Sequence, residues 1–176
     1  PALSVAAGFA KEPPKGIDEF AVEGISDMLY AFPNLRVEYA RVEPGIPPWF
    51  WRSVGHSQNV FFLEAFIDEL AAAAGKDPVE FRRSLLTKQP RLRGVLDLAA
   101  EKAGWGTPLP NGVHRGVALT SCCGSFVAQV AEVSVDASGK PRVHRIVAAV
   151  DCGRTVNPDV IHRQVEGAVV YGLSAA

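Results

Sequence analysis

Methionine occurs once in the 176 residues, at Met28, and cysteine three times, at Cys122, Cys123 and Cys152. An odd and small number of cysteines excludes a disulfide framework, and neighbouring cysteines rarely bridge because the peptide between them must distort. No CxxC pair offers zinc spacing, and the four histidines (His56, His114, His144, His162) are scattered singly, so no intrinsic metal site is expected. An excess of one charge is also lacking. Eighteen basic and nineteen acidic residues leave a formal charge of -1, which gives no electrostatic footprint for a nucleic-acid partner. No apolar run approaches the roughly 20 residues of a membrane span; Val60–Leu63, for example, runs straight into Glu64. Neither GxGxxG nor GxxxxGK[ST] occurs, which removes the usual phosphate loops. With 48% hydrophobic and 21% charged residues, what remains is an ordinary folding balance, sufficient for one well-packed domain. The first residue is Pro1, so the expectation is a processed chain or a piece of a longer one.

Helical signals fill the first part. Residues 1–16 read as an extended lead-in. Ile17 to Ala31 carries an apolar stripe at helical spacing and ends at Phe32-Pro33-Asn34. Leu35 to Val42 alternates and reads as a strand. Ser57 to Ala74 is the strongest helix, with Ser57 as its cap, Glu64 and Asp68 on one face and Gly75 as its stop. Asp77-Pro78 opens a helix to about Leu86, and Leu92 to Ala103 forms another, stopped by Gly104. After Gly112 the period changes to two. His114–Thr120, Phe126–Asp136 and Pro141–Val150 read as strands, the last two joined by a turn at 136–139. Asn157-Pro158 then caps a final helix to Ser174 or beyond. The expected fold is therefore α+β, with helices packed on a small mixed or antiparallel sheet. It divides into a mainly helical part, 1–112, and a hairpin sheet with a C-terminal helix, 113–176.

Two stretches stand out chemically. The loop 47–55, Pro-Pro-Trp-Phe-Trp-Arg-Ser-Val-Gly, crowds three aromatics round Arg52. It can be a core plug, or a rigid pocket wall offering backbone N–H groups and a guanidinium to an anionic cofactor. In the last helix Gln164 and Gly167 share a face, and a mid-helix glycine is best explained by something that packs closely on it. A plain helix crossing explains it as well. Cys122 and Cys123 show no local nucleophile signature, since no histidine is placed to activate them; small buried hydrophobes are their expected role.

Several segments in this order resemble the molybdopterin-binding subunit of the xanthine oxidase family. They are Phe32-Pro33-Asn34-Leu35-Arg36-Val37, Trp51-Arg52-Ser53-Val54-Gly55, Phe61-Phe62-Leu63-Glu64-Ala65-Phe66-Ile67-Asp68-Glu69-Leu70-Ala71 and Asp77-Pro78-Val79-Glu80-Phe81-Arg82. The second half adds Gly124-Ser125-Phe126-Val127-Ala128-Gln129, Val150-Asp151-Cys152-Gly153, Val156-Asn157-Pro158 and Gln164-Val165-Glu166-Gly167. The wording of 98–106 and 171–176 is most similar to isoquinoline 1-oxidoreductase beta subunits and bacterial aldehyde dehydrogenase large subunits.

The resemblance implies molybdenum on a molybdopterin cytosine dinucleotide, held in the full-length subunit. It implies oxidation of an aldehyde or N-heterocycle with oxygen drawn from water, and electrons leaving through [2Fe–2S] clusters on a small iron–sulfur partner subunit. Gln164 matches the glutamine whose amide reaches the pterin. Arg52 and Trp51 match the loop beside the molybdenum. Val54 stands where some relatives carry a substrate-stacking phenylalanine, which argues against flat-ring sandwiching. The family's catalytic glutamate would lie beyond Ala176, and its glycine-rich cofactor loops are absent. The chain is thus expected to be part of a longer large subunit and inactive alone. Cys122 and Cys123 stand where the family leads one to expect other residue types. The compartment, bacterial cytoplasm or periplasm, is not assigned, though unbridged cysteines favour a reducing one. The competing reading is a self-standing α+β interaction module with Trp49–Trp51 as its contact surface.

Overall fold

The computed structural model describes residues 16–42, 45 and 50–176. Trp49, both prolines of the 47–55 loop and the lead-in 1–15 lie outside them. The chain divides into two compact units, 1–90 and 91–176.

The first unit holds α1 (Glu19–Val22), α2 (Val54–Ala73) and α3 (Pro78–Leu85). The long helix expected over 17–31 shrinks to α1. Asp18 caps it by accepting from Phe20 N, but Gly24 turns left-handed (φ +85°) and gives its N–H to Asp27 Oδ1. Side-chain capping of a glycine turn wins over apolar periodicity here. Residues 35–42 form no strand among the described residues. They run without a ladder partner, and residues 34–38 line a cleft of about 490 Å³ with Leu63, Phe66 and Leu70 of α2. Period-two alternation reports an extended chain; a strand also needs an edge to pair with.

Helix α2 begins three residues before Ser57. Its N-cap is Ser53, left-handed at φ +70°, followed by Val54 at φ +45°. Ser57 is no cap: its hydroxyl donates back to the Arg52 carbonyl at 2.8 Å. The stop at Gly75 is as expected. Gly75 N–H reaches Ala72 O and Lys76 N–H reaches Ala71 O, the paired bonds of a Schellman end. Asp77 caps α3 through Val79 N and Glu80 N, with Pro78 in the first turn.

The second unit begins with α4 (Pro90–Ala103), followed by β1 (Val113–Cys122), β2 (Ser125–Val135), β3 (Pro141–Asp151) and α5 (Pro158–Ala175). The three strands form an antiparallel sheet in sequence order. The α+β class is as the sequence indicates. Helix α4 buries Leu92, Val95, Leu96, Ala99, Ala100 and Ala103, one stripe at three- and four-residue steps. Its ends are tied to the sheet. Arg91 forks onto Asp151 (2.7 and 2.8 Å) and lies over the Phe126 ring, while Arg115 and Arg145 bond the carbonyls of Gly104 and Lys102. Arg115, Val117, Leu119, Phe126, Ala128 and Val130 share that face by register. So α4 packs with the sheet.

No helix among the described residues is long and apolar enough to cross a membrane.

Candidate functional site

Trp51, Arg52 and Val54 stand together at the entry of α2. The turn closes with Val54 N–H on Trp51 O at 3.0 Å. Two consecutive non-glycine residues, Ser53 and Val54, take left-handed backbone. For a β-branched valine this is strained, and strain of this kind persists only where the surroundings over-determine it.

What holds the turn is a clasp between α1 and the start of α2. The Glu23 carboxylate sits at the positive end of α2, accepts Gly55 N–H at 2.9 Å and lies 3.5 Å from His56 Nδ1. Asn59 donates to the carbonyls of Ala21 and Glu23. Gly55 is obligatory: a Cβ there would lie 2.3 Å from the Phe20 carbonyl oxygen and 2.8 Å from Glu23 Cγ. Outside the clasp, Trp51 is 60% exposed, and Arg52 and Ser53 are exposed as well. Val54 is half-buried.

Behind this turn α2 is anchored by buried charge. Arg82 of α3 is fully buried and spends its guanidinium on four acceptors. It gives Nε to Glu64 Oε2 (3.0 Å), Nη1 to Asp68 Oδ1 (2.5 Å) and Pro78 O, and Nη2 to Glu64 O (3.0 Å). The remaining Glu64 oxygen accepts from Tyr30 Oη at 2.8 Å. Burial, followed by the Glu64 charge, pushes the Tyr30 phenol far above its ordinary value. Burial opposes the Arg82 charge, but Glu64, Tyr30 and Asp68 outweigh it, so Arg82 stands above the usual arginine value. The sequence placed Glu64 and Asp68 on one face but did not find their partner. Two carboxylates four apart on an apolar helix, followed by a capped helix with one arginine on its apolar side, are the available signal.

Gln164 lies in the second unit, on α5. Asn157 caps this helix as expected, accepting from Val160 N. Ile161, Val165 and Val169 are half-buried and, with Ile146, Ala148 and Val150 of β3, border an apolar cleft of about 630 Å³. Gln164, Gly167 and Ala168 are exposed. A Cβ at Gly167 would meet no atom within 4 Å, so close packing on this glycine does not come from the described residues.

Two of the resemblance segments are tied to each other. Phe126 and Asp151 are cross-strand partners, and both are gripped by Arg91. The Arg91 bonds and the Gly153 N–H hold the Asp151 carboxyl down at about 2. Cys122 and Cys123 are exposed rather than buried, at the β1–β2 turn.

Comparison with known proteins agrees across both units. Two family models, both described as molybdopterin cofactor-binding domain, match residues 4–86 and 90–176. The chain is 31% identical over 153 residues to the beta chain of isoquinoline 1-oxidoreductase from Brevundimonas diminuta, covering 85% of this chain and 20% of that protein. It is 34% identical over 183 residues to a membrane-bound aldehyde dehydrogenase [pyrroloquinoline-quinone] of Gluconacetobacter polyoxogenes, covering 91% and 24%. It is 31% identical over 192 residues to a nicotinate dehydrogenase subunit of Pseudomonas putida, covering 99% and 16%. The chain therefore spans only a minor share of the length of each. No solved structure matches.

Proposed function

Since the chain belongs to the molybdopterin-binding subunits of the xanthine oxidase family, we propose that it supplies part of the cofactor wall in a molybdenum-dependent oxidoreductase of aldehydes or N-heterocycles. The observation that carries this reading is the side-by-side match of two cofactor-binding domain families, one on each unit. The substrate class rests on the relatives, whose names specify isoquinoline, an aldehyde and nicotinate. The proposed cofactor is the cytosine dinucleotide form, with a small [2Fe–2S] subunit as electron partner.

The residues present fit such a group. An exposed carboxamide both donates and accepts, as the edge of a pterin requires, and Gln164 offers one beside the open backbone of Gly167. Arg52 presents a guanidinium, and Trp51 a broad apolar face, from a turn whose backbone the Glu23 clasp fixes. When bound, the molybdenum cofactor supplies two-electron oxidation of an electron-poor carbon. The chain's own part is to contact that cofactor: the residues proposed for it are Gln164, through its amide, and Trp51 and Arg52, from their turn, while Val54 brings no stacking ring. Activity is proposed to need more than this chain, which spans only 16–24% of the relatives' length. Phe61, Phe62 and Phe66 of α2 are each more than half exposed. A contiguous exposed aromatic patch of this kind is normally covered, which supports a covering contribution from the rest of a large subunit.

The test is made on the assembled enzyme. Released cofactor is expected to contain molybdenum and a pterin. Gln164→Ala removes about 1–1.5 kcal/mol of hydrogen bonding and lowers molybdenum retention roughly tenfold. A quinone without molybdenum, or undiminished retention in the variant, contradicts the reading.

A further inference from the structure

We propose that Cys122 and Cys123 form a two-sulfur chelating site for a soft, pyramidal trivalent centre, the class represented by arsenic(III) compounds. The two Sγ atoms stand 3.3 Å apart, and both residues are exposed. The backbone sets this spacing. Cys122 pairs with Ser125 at the end of the β1–β2 ladder. That leaves Cys123 (φ +52°) and Gly124 (φ +76°) as a two-residue hairpin turn with both residues left-handed, as a type I′ turn demands. Asparagine or glycine is the usual first residue of such a turn. A cysteine there keeps a strained conformation and brings its sulfur beside that of Cys122.

The spacing lets both sulfurs reach one atom. With metal–sulfur bonds of about 2.3 Å, two sulfurs 3.3 Å apart subtend about 90° at a shared atom. Tetrahedral zinc needs two further ligands. Among the described residues no group of three or more His, Cys, Asp or Glu side chains is placed to hold a metal ion. A direct disulfide is disfavoured too. Adjacent Cα atoms are about 3.8 Å apart, below the roughly 4.4 Å minimum of ordinary bridges. A pyramidal trivalent centre needs only near-right-angle bonds to two sulfurs and carries its own third substituent.

With an organoarsenic oxide the reaction is a condensation. Two As–S bonds form and the arsenic–oxygen bond breaks. The two thiol protons leave with that oxygen as water, and no electrons are transferred.

Phenylarsine oxide is the probe, added to the reduced, desalted chain, with intact mass and thiol titration as readouts. One adduct is expected, with two of the three thiols lost, and ethanedithiol should restore both. Cys123→Asn suits the turn and keeps the fold; it and Cys122→Ser are expected to weaken retention roughly a hundredfold, because the second bond is no longer intramolecular. Cys152→Ser should change nothing. Unchanged retention in both single variants overturns the proposal. So does displacement of the arsenical by an equal amount of zinc, or a reduced chain that fails to bind.

Discussion

Arg82→Ala is expected to cost the first unit about 3–5 kcal/mol, the scale for stripping one partner from a buried ion pair. Arg82 is fully buried and Glu64 only 4% exposed. Removing the guanidinium leaves the Glu64 carboxylate in the interior without the Arg82 Nε–H bond, though Tyr30 Oη still donates to it. Two backbone carbonyls, Glu64 O and Pro78 O, lose their guanidinium contacts as well. Lysine is no substitute, since one ammonium cannot reach four acceptors spread round a planar fork. The double change Glu64→Leu with Arg82→Met removes both charges together and should recover most of the loss. The urea midpoint of the first unit is the measurement. A shift worth less than about 1 kcal/mol in Arg82→Ala would mean that the network contributes no more than a surface pair.

The second large effect is steric. Gly55→Ala places a methyl group 2.3 Å from the Phe20 carbonyl oxygen and 2.8 Å from Glu23 Cγ. The Glu23 side chain can rotate aside; a backbone oxygen cannot. Either α1 withdraws or the start of α2 unwinds, and both outcomes dissolve the clasp through which Glu23 grips Gly55 N–H. Overpacking of this kind costs about 3 kcal/mol. It should also expose the turn: amides at 51–56 would exchange faster in the variant while those of β2 stay unchanged. A variant with wild-type stability and exchange would show that the clasp does not set the Trp51–Val54 turn.

Much of the fold was legible, because caps and glycine stops are local. Asp77-Pro78, Asn157-Pro158, Gly75 and Gly104 each act within a few residues of themselves, and α3, α4 and α5 follow them. The sheet was legible through its period and its turn at 136–139. The errors come where a distant group decides. Ile17–Ala31 has helical spacing, but the Asp27 side chain holds Gly24 in a turn. Leu35–Val42 alternates, but no strand edge among the described residues meets it. Ser57 looks like a cap, yet the helix starts earlier because Glu23, more than thirty residues upstream, satisfies Gly55 N–H.

The site was legible only in part, for a similar reason. Arg52, Trp51, Val54 and Gln164 were singled out by unusual composition and by resemblance, and all four lie at least partly at the surface. Their supports were not foreseen. The left-handed Ser53–Val54 turn with its Glu23 clasp and the Arg82 network depend on pairings between segments, and single-segment patterns do not encode them. Cys122 and Cys123 were read as buried hydrophobes from residue type alone; the two-residue turn that exposes them depends on a cross-strand register.

The central claim is that the chain carries cofactor-binding residues, proposed to be Trp51 and Arg52 in one unit and Gln164 in the other. Hydrogen–deuterium exchange of the assembled enzyme, with cofactor bound and after its removal, tests it most directly. Protection of 50–56 and 160–168 together on cofactor binding, with the β1–β2 turn unaffected, is the predicted result. Protection of only one of the two segments, or of neither, would contradict the account.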